Sequence, residues 1–205
     1  LVEKGTLKDI TAAVLIGGKS RRFGRDKVVE QFDGVMLVER VISVLSPLFQ
    51  EIILVGHVRQ EIAGYRTVPD IIPGCGPLGG IYTALVSSKN PYSFVFAADM
   101  PNLNMEFIRH MAGLKEKADI IIPRLPKGME PLHAIYSKAA IPAVEALLEK
   151  GKLKILNLIE QMNTEYIGHL SINAFGDPLK LFSNINTLSD INISSETVKG
   201  NRERG

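Results

Sequence analysis

Ala12-Ala13-Val14-Leu15-Ile16-Gly17-Gly18-Lys19-Ser20-Arg21-Arg22-Phe23-Gly24-Arg25-Asp26-Lys27 passes from a short apolar run into a loop of glycines and cations. A run this uniform, closed by paired glycines, is the pattern of a strand covered on both faces, as a parallel sheet would cover it. Glycine lets the backbone approach a ligand closely, and the amides of such a loop can line an anion site. Lys19, Arg21, Arg22, Arg25 and Lys27 then place five cations in nine residues, enough to neutralise a triphosphate. The competing reading is a basic surface turn, which the buried strand and the glycine pair before it disfavour. No Gly-Lys-Ser/Thr stands at Walker A spacing and no Gly-x-Gly-x-x-Gly is present, so a P-loop ATPase and a Rossmann dehydrogenase both lose support.

Outward from this segment, Leu37, Val38, Val41, Ile42, Val44, Leu45 and Leu48 recur at helical spacing, and Ile52 to Val55 forms a second strand-like run. The alternation continues. Ile81 to Val86 reads as a helix after Gly79-Gly80, Phe94 to Ala98 as a buried strand, Met105 to Leu114 as a helix and Ile120 to Ile122 as a strand. Farther on, Leu132 to Tyr136 is strand-like, Pro142 to Leu148 and Ile155 to Met162 are helical, and Thr164 to Leu170 is ambiguous. This order predicts an α/β fold with a single-domain, doubly wound, mostly parallel sheet of Rossmann-like form. With 205 residues we expect one domain over 10–192, flanked by tails at 1–9 and 193–205.

Composition removes several classes. The 24 basic and 22 acidic residues nearly balance, which argues against non-specific nucleic-acid attachment; any anion site is local. A lone Cys75 excludes an intramolecular disulfide and leaves a structural zinc knuckle without ligands. No apolar run reaches the roughly 18–20 residues that span a bilayer, and Leu1 to Asp9 lacks the features of a signal peptide. The expectation is a cytoplasmic protein that engages no membrane.

Ligands of doubly wound sheets bind at the carboxyl ends of the strands, where two further motifs fall. Asp99 follows the apolar run Phe94 to Ala98 and precedes Met100-Pro101. An unpaired buried carboxylate there would be costly, so it faces the loop rim, as a magnesium ligand or as a turn residue. The second motif, Val68-Pro69-Asp70-Ile71-Ile72-Pro73-Gly74-Cys75-Gly76-Pro77-Leu78-Gly79-Gly80, is dense in proline and glycine and opens a helix whose amides favour anions. Asp70 in it either accepts hydrogen bonds from base or ribose or serves the turn.

Leu15 to Lys27, Gly76-Pro77-Leu78-Gly79-Gly80, Ala98-Asp99-Met100-Pro101 and Asn184-Ile185-Asn186-Thr187 together resemble the molybdenum cofactor guanylyltransferase family, in order over nearly residues 10–192. The first motif is shared with a wider class of nucleotidyltransferases, and Asn-Ile-Asn-Thr narrows it. The resemblance implies transfer of GMP from GTP to the terminal phosphate of molybdopterin carrying molybdenum, with release of pyrophosphate. It implies that Leu15, Ile16, Gly17 and Gly18 hold nucleotide through their backbone. Arg21 and Lys27 would contact phosphates, Asp70 the nucleoside and Asp99 the Mg2+. Gly79, Gly80, His133, Asn184 and Asn186 would lie on the acceptor side, His133 through the family-like stretch Glu130 to Ala134. A lone histidine is more often packed or solvated than functional. One departure stands out: the second strand of better known members ends in asparagine, whereas Leu54-Val55-Gly56-His57 occupies that place here. Molybdoenzymes or other cofactor-assembly proteins are the partners the resemblance suggests.

A phosphate monoester is already largely ionised near neutral pH, so in-line attack needs positioning and charge stabilisation rather than a dedicated base. Arg21, Lys27 and Asp99 are the expected catalytic set. Other readings are a nucleotidyltransferase using CTP or another acceptor, and a nucleotide-binding adaptor without turnover.

Overall fold

The computed structural model describes residues 5–17, 31, 32, 34–62 and 64–183. In chain order the elements are β1 (Leu7–Leu15), β2 (Gln31–Phe32), β3 (Val35–Met36), α1 (Leu37–Leu45), β4 (Phe49–Val55), β5 (Thr67–Val68), α2 (Gly76–Ser87), β6 (Tyr92–Ala97) and α3 (Met105–Ala112). They continue with β7 (Ile120–Leu125), β8 (Gly128–Met129), β9 (His133–Ser137), α4 (Ile141–Glu149), α5 (Ile155–Ile159), β10 (Thr164–Gly168), α6 (His169–Ile172) and α7 (Pro178–Leu181).

The main sheet has the order β10-β7-β9-β6-β1-β4-β5, with β8 paired to β7. β1 lies between β4 and β6, parallel to both, which is why its residues 12 to 14 are wholly buried on either face. Ala12 and Val14 join one core layer with α1 and α3 side chains, and Ala13 joins the other with α2, α4 and α5 side chains. The strand begins at Leu7, five residues before the apolar run, because Leu7 N–H reaches Leu48 O at 2.7 Å and extends the pairing past the polar Lys8 and Asp9.

β9 runs antiparallel to both β6 and β7. Parallel neighbours need a crossover of a dozen or more residues, and only residues 126–132 separate β7 from β9, so the chain can only turn back. Thr164–Gly168, ambiguous in sequence, settles as a strand by pairing parallel to β7 from Thr164↔Ile120 to Gly168↔Arg124.

Helix positions follow local chemistry. α1 buries Leu37, Val38, Val41, Ile42 and Leu45 on one stripe, and Glu39 accepts from Met36 N–H at 3.2 Å to tie its start. Asn104 caps α3 by accepting from Phe107 N–H at 2.9 Å. α2 begins at Gly76, so Gly79 and Gly80 stand inside the helix rather than before it as the sequence suggested. Gly80 packs against β1: a Cβ there would lie 3.0 Å from Leu15 Cδ1, so a larger residue would push the Leu15 side chain aside.

Candidate active site

Register assembles the site. Leu15, the last residue of β1, pairs with Val55 at the end of β4 and with Ala97 at the end of β6, so three strand ends lie side by side at one sheet edge. Ala98 N–H donates to Leu15 O at 3.3 Å. The residue next to Asp99 is therefore bonded directly to the root of the cationic loop. Asp99 sits in the turn after β6, partly exposed and thus on the rim.

Asp70 approaches from the other flank. Its Oδ2 lies 3.5 Å from where a Cβ on Gly17 would be, which places the carboxylate over the first glycine of the loop. The buried Thr83 hydroxyl holds this arm by accepting from Ile71 N–H and donating to Gly79 O, both at 3.0 Å, which pins the segment after Asp70 to α2. Two carboxylates thus approach the loop root from opposite sides, one at the Gly17 backbone and one beyond Ala97.

The root itself is rigid. Ile16 N–H donates to Val55 O at 2.9 Å, and Arg59 donates to Ile16 O at 3.0 Å and to His57 O at 3.0 Å. A carbonyl oxygen has two lone pairs, so Leu15 and Ile16 keep acceptor capacity beyond these bonds. Gly56, at φ +138°, packs its α-carbon directly on the Gly17 backbone. The departure from asparagine noted in the sequence falls at this contact, where a glycine permits close approach of two loops. Arg59 was not anticipated; a loop arginine four residues past a buried strand end was its only sequence signal.

Among the residues expected to bind or act, Leu15, Ile16, Gly17, Asp70 and Asp99 converge on this edge. Gly18, Arg21, Lys27, Asn184 and Asn186 lie outside the described residues. Gly79 and Gly80 are buried in α2, with Gly79 tight against Cys75 Cβ and Ile72 O, so both serve packing of the helix beside the loop. His133, expected on the acceptor side, is instead a core residue with 2% exposure. Its ring stacks on Phe107 at 5.6 Å and meets Phe94, Phe96 and Phe182 edge-on at 5.3 to 5.4 Å. Burial pushes its pKa down to about 3, so the imidazole is neutral and neither nitrogen has a hydrogen-bond partner. The alternation of β9 is the reason: His133 and Ile135 point into the α3 layer while Ala134 and Tyr136 point into the other. 

A mostly parallel sheet that gathers a glycine-led loop root and two carboxylates at its carboxyl edge has the form of an α/β nucleotidyltransferase. This chain belongs to the family described as the MobA-like NTP transferase domain, whose model matches residues 12–164. It is 36% identical over 183 residues to a probable molybdenum cofactor guanylyltransferase of Pelotomaculum thermopropionicum, covering 88% of this chain and 89% of the relative. A probable molybdenum cofactor guanylyltransferase of Methanothermobacter thermautotrophicus is 34% identical, with 89% and 98% covered. The crystal structure of molybdopterin-guanine dinucleotide biosynthesis protein A from Archaeoglobus fulgidus superposes with a TM-score of 0.79 at 29% identity, over 93% of this chain and 99% of that one. The 2-C-methyl-D-erythritol 4-phosphate cytidylyltransferase of Thermus thermophilus shares the fold at 12% identity, with a TM-score of 0.65 and coverage of 91% and 98%.

Proposed function

We propose that this enzyme transfers GMP from GTP to molybdopterin carrying molybdenum, forming the guanine dinucleotide cofactor and pyrophosphate. The observation that supports this most is the register of Leu15 with Ala97 and the Ala98–Leu15 hydrogen bond, since they root the cationic loop beside Asp99. Relatives named for that activity over most of their length agree with it.

In this reading Gly17 and Gly18 present backbone to the nucleotide, and Asp70, held over Gly17, faces the nucleoside. Asp99 suits a hard cation, because magnesium takes one or two carboxylates and completes its shell with phosphate oxygens and water; its rim position leaves room for those ligands. When bound there, the metal would offset charge on the triphosphate and the departing pyrophosphate. Lys27 and Arg21 supply cations along the same polyphosphate. An acceptor phosphate oxygen forms the new bond to the α-phosphorus as the bond to the bridging α–β oxygen breaks, and that electron pair leaves with pyrophosphate. No protein group becomes covalently bound, and no general base is called for.

The test is pyrophosphate release with GTP, magnesium and molybdenum-bearing molybdopterin, read together with the product mass. The expected product is the guanine dinucleotide; CTP in parallel reads base choice at a site where Leu54-Val55-Gly56-His57 stands in place of a strand ending in asparagine. Release with CTP alone, or with a sugar phosphate instead of molybdopterin, would refute the assignment.

A further inference from the structure

The chain between β6 and α3 is joined to the chain after β10 by side-chain amides. Asn102 stands three residues after Asp99. Its Nδ2 donates to Ser183 Oγ at 2.9 Å and to Lys180 O at 3.3 Å, and Ser183 Oγ donates to the same Lys180 O at 2.8 Å. We propose that Asn102 is a positioning residue, fastening the turn that carries Asp99 to the end of the C-terminal arm, residues 169–183, so that turn and arm act as one unit in transfer. The proposal rests on the guanylyltransferase reading above, in which Asp99 holds the metal and the segment running on from Ser183 serves the acceptor.

Packing seats the two parts separately. In the arm, Phe182 is buried and meets the Phe107 ring at 6.0 Å and the His133 ring at 5.3 Å, while Phe175 meets Phe107 at 5.4 Å. Those contacts anchor the arm on α3 and β9. The turn has its own anchor: Met100 is buried in the same core layer, with Leu103 packed against it. Asn102 lies exposed between these two inward residues, and its amide spans from the turn to the arm. Asn104 adds a second bridge from Nδ2 to Phe175 O at 2.8 Å, but its Oδ1 also caps α3. Asn102 has no such second duty to the helix, so it probes the junction alone.

Amide chemistry suits this task. A side-chain amide carries two N–H donors, and here each has an acceptor, the Ser183 hydroxyl and the Lys180 carbonyl. An aspartate would offer neither donor and would set a carboxylate against Lys180 O. One hydrogen bond contributes modestly to folding, so the value of this one lies in geometry. Without it the arm and the turn must be brought into register when substrate binds, and that ordering entropy weakens binding. Nucleotide held at Gly17 and Asp70 lies on the other flank of the loop root and does not depend on the junction.

Asn102→Ala, Ser183→Ala and the double variant are compared with wild type in the intact chain. Asn102→Ala should raise KM for molybdenum-bearing molybdopterin about fivefold, the size of one net hydrogen bond, with KM for GTP unchanged. The double variant should match Asn102→Ala rather than multiply the two single effects, because both changes open one contact. Hydrogen exchange reads the junction without acceptor. Magnesium-GTP should slow exchange in the peptide covering 180–183 of wild type and leave it unchanged in Asn102→Ala, although calorimetry shows both proteins binding the nucleotide. A wild-type acceptor KM in Asn102→Ala, or an exchange response that is the same in wild type and variant, overturns the proposal. Should wild type form no guanine dinucleotide yet show Asn102-dependent protection of the arm by magnesium-GTP, the positioning role stands and the guanylyltransferase reading falls.

Discussion

Gly56→Ala tests whether the contact between two loops, rather than either loop alone, sets the nucleotide site. A Cβ at Gly56 would lie 2.6 Å from Gly17 N, 3.0 Å from Gly17 Cα and 3.1 Å from Ile16 C, all backbone atoms that cannot swing aside. Two costs combine: holding an L-residue at φ +138°, about 1–3 kcal/mol, and relieving an overpacked contact, also about 1–3 kcal/mol. The sum, roughly 2–6 kcal/mol, is large against a typical stability of about 5–15 kcal/mol. Gly128→Ala separates the two. Its φ is +143° and nothing lies within 4 Å of its Cβ position, so it incurs the backbone cost alone. Urea unfolding of both variants, with GTP affinity by calorimetry, gives the comparison. Gly56→Ala should unfold at lower urea than Gly128→Ala and should bind GTP at least tenfold more weakly, because Gly17 must shift away from Asp70. Equal midpoints for the two variants, with GTP affinity at the wild-type level, would refute the argument that this backbone contact shapes the site.

Three other outcomes are expected. His133 binds a proton at about pH 3 when folded and near 6.5 when unfolded, so its contribution to stability is complete above pH 6.5 and drains away as pH falls toward 3. The slope is at most about 1.4 kcal/mol per pH unit; His133→Leu should show a shallower fall between pH 6.5 and 4.5 in urea titrations, and a parallel fall would contradict it. Lys27→Ala and Asp99→Ala should melt as wild type does while pyrophosphate release drops about a hundredfold or more; full turnover in either removes that residue from the mechanism. Arg59→Ala loses the bond to Ile16 O and should weaken GTP binding by about 1 kcal/mol, with no change in acceptor KM; calorimetry and steady-state kinetics check the two halves.

Among the described residues no helix is long and apolar enough to cross a membrane, which agrees with the hydropathy pattern. Strand and helix identities were readable from period and from breakers: Ala12 to Leu15, Phe94 to Ala97 and the stripe Leu37 to Leu45 are apolar for reasons local to each element. Helix starts were read less well. α2 starts at Gly76, ahead of the Gly79-Gly80 pair that reads as a breaker in the sequence, because the fold uses those glycines as gaps for Leu15 and Cys75.

The amino-acid order alone carried the α/β class, the glycine-cation loop after the first strand and the carboxylate beyond Ala98, because these depend on residue types close together in the chain. It could not tell a core histidine from an acceptor-facing one. His133 lies on the side of β9 that faces the aromatic layer, and that side is set only once β9 has paired with β6. The Arg59 clamp, the seat of Asp70 over Gly17 and the bridge from Asn102 to Ser183 likewise join residues 43 to 81 positions apart. Separations of that length are closed by strand register and helix packing, and chain-local propensity carries no record of them.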